Sequence, residues 1–388
     1  MGHLGTDCHK RISLSDVTVP HPPAASPAPV QDRALLPDVL RGVALLGILT
    51  VNMQDFAGYR EWTQHGLDRA AQVLIDVFAN GRFISIFAML FGWGAYGIYQ
   101  RHGLRIFTRR HLLLLLIGTL HYLLFWHGDI ISTYAGLALL IPLLARLRTR
   151  PLLWLGVGLG AWWLFVNILS AFAFSTEARF SGLPTPSELQ SYGVAVAARG
   201  SDFVGGYIAG LLFNGPWLLL LFILGMVAAR EGVFSHPQRF GWLFRRFVGV
   251  ALPLGLLLGA VLAYLNTRPD AFSGVLVPPV RMLGGLLGAL GYVGILGLLL
   301  NRGALAGFKV FAATGRTALT NYLLQTLVMT TIFYPYAGAQ WEKWGAAPAL
   351  ALALLVGALQ IVLSHWWLRS HARGPVEEWL RRMVYMGH

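Results

Sequence analysis

The amino-acid sequence predicts an all-α, polytopic transmembrane helix bundle of about ten spans with both termini in the cytoplasm. Three observations predict it. First, 56% of the 388 residues are hydrophobic and only 12% are charged, against about 25% charged in an ordinary soluble chain. A soluble protein of this length needs far more polar surface to cover its core. Second, the apolar residues fall in runs near the ~20 residues that cross ~30 Å of hydrocarbon. Third, the formal net charge of +13 gathers in alternate loops. Intrinsic disorder and a soluble globular fold are both excluded by this pattern.

Residues 1–34 read as a tail. The stretch 18–30, TVPHPPAASPAPV, is rich in Pro and Ala and has no apolar periodicity, so a disordered cytoplasmic arm is expected. No short apolar core precedes a small-residue cleavage site, and the first span is expected to act as its own insertion signal. The single cysteine, Cys8, lies in this arm and can form neither an internal disulfide nor a multi-cysteine metal site. Helical bundle is expected over 35–370, and a cytoplasmic C-terminal tail over 371–388.

Within the bundle the candidate spans are 38–55, 82–99, 111–127, 130–146, 152–174, 204–229, 248–265, 277–300, 308–335 and 347–368. The piece 70–80, AAQVLIDVFAN, is amphipathic and suits the interface or an extension of the second span. The longest loop is 175–203, with a weakly amphipathic piece over 187–200. Asn214-Gly215-Pro216 is a candidate interruption of span six.

Charge placement orients the bundle. With the N-terminus inside, the cytoplasmic segments hold 22 of the 30 Lys and Arg residues. Arg101, Arg105, Arg109 and Arg110 form one loop, and Arg146, Arg148 and Arg150 the next. Arg230, Arg239, Arg245 and Arg246 follow, then Arg302, Lys309 and Arg316, with the rest in the two terminal segments. Every inner loop is cationic and no outer loop is, which is the positive-inside pattern. That pattern accounts for the basic balance without nucleic acid. The same charges suit anionic lipid headgroups or a phosphorylated cofactor.

Ionisable and polar groups within spans are the functional candidates. Asp38 and Arg41 lie three apart at the start of the first span, spaced for an ion pair on one helix face. Asn52 lies about three turns further on. Arg82 opens the second span, either as an interface anchor or as a partner for a carboxylate or anionic substrate. His127, Gly128 and Asp129 form a near loop-less turn at the outer edge. There an Asp beside a His is the pairing that orients a general base. The structural alternative is a polar turn whose Asp caps the next helix. His121 lies deeper and reads as a core histidine. His65, in the first outer loop, is a second candidate base. Asn321 and Gln325, four apart, suit either hydrogen bonding between helices or the wall of a polar tunnel. His236 and His371 are isolated, and no metal-ligand spacing, Walker loop or GxSxG motif is present.

Six motifs in order carry a resemblance: DVLRGVALLGILTVN, GRFISIFAMLFGWG, HYLLFWHGDIISTYA, LFILGMVAAREGVF, GRTALTNYLLQTL and GPVEEWLRRMVY. Together they span residues 38 to 385 and resemble the bacterial domain-of-unknown-function 418, or YeiB-like, membrane proteins. That family is distantly similar to the transmembrane acyltransferase superfamily. The superfamily includes lysosomal heparan-glucosaminide acetyltransferase and sugar O-acetyltransferases of bacterial envelopes. The resemblance implies a multi-pass protein of the bacterial plasma membrane that moves an acyl group from cytoplasmic acyl-CoA to an extracytoplasmic acceptor. It implies His127 and Asp129 as the first catalytic candidates. His65 is the second, because in the glucosaminide enzymes the reacting histidine follows a similar Asp-x-x-Arg-Gly span. Asp38, Arg41, Asn52, Arg82, Asn321 and Gln325 are the residues expected to face acyl-CoA and the developing oxyanion. No metal and no nucleic acid is expected. The expected partners are the lipid bilayer, acyl-CoA, an envelope acceptor and, in a homodimer, a second copy of the chain. The alternatives are a transporter of a small anion, lipid or metabolite, with Arg82 and Asp129 as a gated pair, and a structural partner in the envelope.

Overall fold

The computed structural model describes residues 35–173 and 189–386. The expected N-terminal arm and most of the loop after residue 173 lie outside the described residues. Among the described residues every regular element is a helix. Seven helical stretches are long and apolar enough to cross a membrane.

Helix α1 (Leu35–Ala57) is the central post. Its Leu36, Val39, Leu40, Ala44, Leu45 and Met53 are fully buried, which an apolar helix achieves only with neighbours on several sides. Helix α2 (Gly66–Phe78) is amphipathic, burying Ala71, Gln72, Ile75 and Asp76 while Leu67 and Leu74 stay exposed. It covers most of the amphipathic piece that the sequence marks at 70–80.

Helix α3 (Arg82–Leu124) is two helices. Gly103 between them has φ 73° and ψ −177°, a conformation essentially confined to glycine. Across it the chain reverses. Tyr99 and Phe107 have ring centroids 5.7 Å apart, and Phe91 and His111 are 5.9 Å apart. Twenty residues of straight helix would separate the second pair by about 30 Å, so the two arms run antiparallel. The expected spans 82–99 and 111–127 are these arms, and the expected loop between them is a single glycine turn.

Helices α4 (Ile131–Ala138) and α5 (Ile141–Leu144) replace the expected continuous span 130–146. The break falls just ahead of Pro142, which lacks an N–H and favours the first turn of a new helix. Helix α6 (Thr149–Ala173) follows. Helix α7 (Tyr192–Glu231) begins twelve residues before the expected span six, capped by the Ser191 hydroxyl at 3.3 Å from the Val194 N–H. It also runs through Pro216 without ending. Its early start is held by Arg199, whose guanidinium donates to the carbonyls of Leu123 and Leu124 at 2.8 and 3.1 Å. Those carbonyls end α3 and have no acceptor role left within that helix.

Helices α8 (Gly241–Arg246) and α9 (Leu252–Leu265) join through a π turn over Phe247–Ala251. The turn sits just before Pro253, which cannot donate to the regular ladder. Helix α10 (Ala271–Asn301) returns, and α11 (Lys309–Arg316) and α12 (Ala318–Phe333) divide at Thr317 where one span is expected over 308–335. Helices α13 (Ala346–Trp367) and α14 (Pro375–Tyr385) complete the fold. The latter lies within the expected tail. Its Leu380 and Val384 are 1% and 2% exposed against the bundle.

One of the tight crossings is between the first arm of α3 and α7. A Cβ on Gly92 would land on the Phe222 backbone, and one on Gly225 would land on the Met89 carbonyl. Two small residues facing each other let two membrane helices approach to backbone contact. Two apolar clusters result, one around Phe91, Tyr134 and Phe222 and one around Phe56, Trp126 and Phe333. Phe87, Phe91 and Ile130 touch both. The turn that leads into Ile130 therefore sits at their seam.

Candidate functional site

The seam is where α3 ends. The helix stops at Leu124, and Trp126 folds back into the core at 3% exposure. Its indole packs against Phe56, ring centroids 4.4 Å apart and planes tilted by 33°, and donates to Asp55 Oδ2 at 2.7 Å. His127 Nε2 lies 3.3 Å from the same carboxylate oxygen. Asp129 turns the other way. Its Oδ2 accepts from the Ser132 N–H and hydroxyl at 2.7 and 2.6 Å, capping α4. Its Oδ1 lies 2.9 Å from His121 Nδ1. Two histidine–carboxylate pairs thus flank one indole, with Trp126 6.5 Å from the His121 ring and 6.1 Å from the His127 ring.

The sequence expectation that Asp129 orients His127 is corrected here. Asp129 holds His121, the residue expected to be a core histidine, and Asp55 of α1 holds His127. The cause is the cap. A carboxylate that serves the first turn of α4 must point inward. The nearest imidazole there is the one in the last turn of α3.

The two pairs differ in burial. The His127 and Asp55 side chains are 27% and 23% exposed, whereas those of His121 and Asp129 are 2% and 0% exposed. His121 Nε2 is buried and has no hydrogen-bond partner. In the tautomer whose Nδ1–H donates to Asp129, the Nε2 lone pair is presented. Tyr322 lies beside it, ring centroids 5.2 Å apart, and its hydroxyl accepts from the Ile130 N–H at 3.3 Å.

The other expected residues are placed as follows. His65 is an exposed residue at the start of α2, and its carbonyl accepts from the Asp68 and Arg69 N–H groups. Its ring is not brought to the seam by any bond. Asn52 is half-buried on α1, three residues before Asp55, and its side chain makes no hydrogen bond to a described residue. Asp38 and Arg41 form the expected ion pair at 3.0 Å.

Arg82 pairs with no carboxylate. At 1% exposure, its guanidinium donates to the backbone carbonyls of Asp76, Asn80 and Gly255 at 3.1, 3.0 and 2.6 Å. Asp76 is served separately, by the side-chain amides of Gln72, Asn80 and Asn266 at 3.0–3.1 Å. The expected gated pair of Arg82 with Asp129 does not form. Asn321 and Gln325 bond across to α13. Asn321 donates to Thr317 and Ser364, both at 2.9 Å, and Gln325 donates to Gln360 at 2.8 Å. Gln360 in turn donates to the Asn321 carbonyl at 2.9 Å. Of the two readings open in the sequence, this geometry is that of interhelical hydrogen bonding.

The opposite end of the bundle is cationic. Arg101 and Arg105 are exposed around the Gly103 turn. Arg109 donates to the Met386 carbonyl at 2.6 Å, and Arg316 to that of Ala372 at 2.9 Å. Arg230 donates to the Ala145 and Leu147 carbonyls beyond α5, with its guanidinium 5.3 Å over Tyr96. Several of these arginines therefore seat the ends of chain segments as well as setting charge. Among the described residues no group of three or more His, Cys, Asp or Glu side chains gathers as a metal site would.

Comparison with known proteins covers the whole of this architecture. A family model described as "Protein of unknown function (DUF418)" matches residues 228–387. The chain is 31% identical over 387 residues to uncharacterized protein YeiB of Escherichia coli (strain K12), covering 91% of this chain and 96% of the relative. It is 28% identical over 398 residues to uncharacterized protein YxaH of Bacillus subtilis (strain 168), covering 93% and 96%. A 39.9 kDa protein of Bacillus acidopullulyticus is 27% identical over 387 residues. Similarity that runs the length of both chains, over a helical bundle with seven membrane-length stretches, makes this chain an integral membrane protein of the DUF418 family.

Proposed function

We propose that this protein is a transmembrane acyltransferase of the bacterial inner membrane, with ten spans and both termini cytoplasmic. Dividing the Gly66–Leu124 stretch at Gly103 and counting α12 and the α4–α5 pair raises the seven long stretches to ten. The observation that carries the chemistry is the buried His121–Asp129 pair, with His121 Nε2 unpartnered. It lies at the end of the bundle opposite the arginines.

In this reading the arginine-rich inner end, with Arg41, takes the phosphates of acyl-CoA. The acceptor hydroxyl gives its proton to His121 Nε2 as its oxygen attacks the thioester carbonyl. The C–S bond breaks, the ester forms, and the proton passes to the departing thiolate to release free CoA thiol. Asn52 and the Tyr322 hydroxyl are the donors available to the developing oxyanion, because Arg82 is committed to carbonyls.

The test is thiol release from acyl-CoA by purified protein in nanodiscs, with wild type, His121→Ala, Asp129→Asn and His127→Ala. Loss of about 100-fold or more in His121→Ala, with an unchanged size-exclusion profile, is expected of a general base. Calorimetry with acyl-CoA on wild type and Arg41→Ala tests the inner end. Full activity in His121→Ala rejects the assignment of the base. A wild type that binds no acyl-CoA rejects acyl transfer and leaves transport of a small anion, lipid or metabolite as the reading to pursue.

A further inference from the structure

A groove of about 640 Å³ opens on the side of the bundle, away from the His121 seam. Its walls are α1, α2, the start of α3, α10 and α13, and Phe308 and Phe311 close one end. That end is the inner one, since the Phe311 carbonyl lies against Gly42 in the first turns of α1. Along α13 the lining runs from Leu350 to Ile361, about 16 Å of helix. This is close to half of a ~30 Å hydrocarbon core. The volume is in the range of ordinary ligand pockets, about 300–1,000 Å³.

The chemistry of the walls narrows the occupant. The hydroxyls that reach the groove, those of Thr50 and Tyr292, spend their hydrogens inside the protein. Thr50 donates to the Gly47 carbonyl at 2.7 Å and Tyr292 to the Phe78 carbonyl at 2.7 Å. Everything else that lines it is apolar or glycine. A ligand with polar groups along its length would lose its water there and gain no partner. A hydrocarbon chain has no polar group to desolvate and packs against these apolar walls.

The inner mouth has the opposite character. Lys309 stands between the two closing phenylalanines in the chain, and Arg302 ends α10 just beyond its lining residues. Both are exposed, and neither side chain has an ion pair or hydrogen bond with a described residue. Free cations at the apolar groove's inner end match an anionic headgroup above a single chain.

We infer that this groove binds one phospholipid of the inner leaflet, its acyl chain along α1 and α13 and its phosphate at Arg302 and Lys309. The inference does not depend on acyl transfer at His121.

The probes are palmitoyl-oleoyl phosphatidylglycerol and the corresponding zwitterionic phosphatidylcholine, titrated into delipidated protein and read by native mass spectrometry. Wild type binds one lipid per chain and prefers the anionic one by about 30-fold, since two cations near a headgroup contribute about 1 kcal/mol each. Ala358→Trp fills the groove from its exposed rim and weakens both lipids by about tenfold or more. Leu354→Trp is the second filling variant should the first fail to fold. The double variant Arg302→Gln/Lys309→Gln loses the preference and keeps phosphatidylcholine. Unchanged binding in both Trp variants overturns the chain site, and an intact preference in the double variant overturns the phosphate site. A wild-type dimer that carries no lipid and dissociates in Ala358→Trp assigns the groove to a second copy and overturns the proposal.

Discussion

Substituting Glu377 tests whether α14 is a structural member of the bundle. The Glu377 carboxylate caps a helix that is not its own. Oε1 accepts from the Leu319 and Thr320 N–H groups at 2.7 and 3.0 Å, and Oε2 accepts from the Thr320 hydroxyl at 2.6 Å. These amides open α12, whose own N-cap, Thr317, makes no capping bond. The Thr320 hydroxyl answers by accepting from the Val376 N–H at 3.2 Å, in the first turn of α14. The two helices thus cap each other. Gly374 is required between them, because a Cβ there would land on the Glu377 carboxylate. In Glu377→Ala the cap is lost, which costs about 0.5–2 kcal/mol. The hydroxyl and one amide are also left without their charged acceptor in a half-buried site, about 1–3 kcal/mol more. We expect about 2–4 kcal/mol in total, or an opening constant for this corner raised about 30- to 700-fold. Glu377→Gln keeps one neutral acceptor and should cost about 1 kcal/mol. Hydrogen exchange of the Leu319 and Thr320 amides in detergent micelles reads the opening directly. Exchange in Glu377→Ala within threefold of wild type would refute the clamp.

Three further outcomes follow from features already described. Gly103→Ala meets no atom within 4 Å, so its cost is purely conformational, about 1–3 kcal/mol. Gly94→Ala, also unobstructed but inside a helix, should stabilise by about 0.5–1 kcal/mol. Thermal unfolding that ranks the two the other way removes the hairpin. Arg82→Lys cannot reach all three carbonyls and should cost about 2–4 kcal/mol of stability. If Arg82 instead held a substrate, the same variant would lose turnover and keep its melting temperature. The Glu378 carboxyl is held below the usual carboxylate range by hydrogen bonds from Arg382 and Arg373. Its contribution is therefore present above about pH 4.3 and lost as pH falls through the lower folded value. Release of α14 by pepsin, which is active in acid, normalised to an unfolded control at each pH, should accelerate as pH drops through that window, and the effect should shrink in high salt. Slower release in acid contradicts the sign.

The apolar runs, the arginine-rich end and the i,i+3 pair of Asp38 and Arg41 are legible in the sequence because each depends on neighbours along one helix. Contacts across helices are not legible. His127 and Asp129 sit two apart, yet in a tight turn that ends one helix and caps the next they face opposite ways. The partners that claim them, Asp55 and His121, are set by how α1 and α3 pack. Asp55, close behind Asn52 near the outer end of the first span, was the available signal. The Gly103 reversal leaves no loop composition to detect, since arginines flank it as they would a longer loop. The early start of α7 depends on Arg199 finding the open carbonyls of α3. The GPVEEW motif is visible as a string, but its meaning lies in the amides of α12.

The cage around Arg82 also sets an order of events. Its shortest bond goes to the Gly255 carbonyl, 173 positions later in the chain. At about 5–20 residues per second of synthesis, the guanidinium waits roughly 10–35 s for an acceptor that does not yet exist. During that interval Arg82 has the Asp76 and Asn80 carbonyls but not its third acceptor, and a partly satisfied cation at the head of the first α3 arm is costly in hydrocarbon. The expected order is that the arm reaches its final depth after α9 has been made. A nascent chain stalled before residue 255 should leave the head of this arm open to water-borne labels on a cysteine placed at Phe83, beside an intact Arg82, and release of the stall should close it.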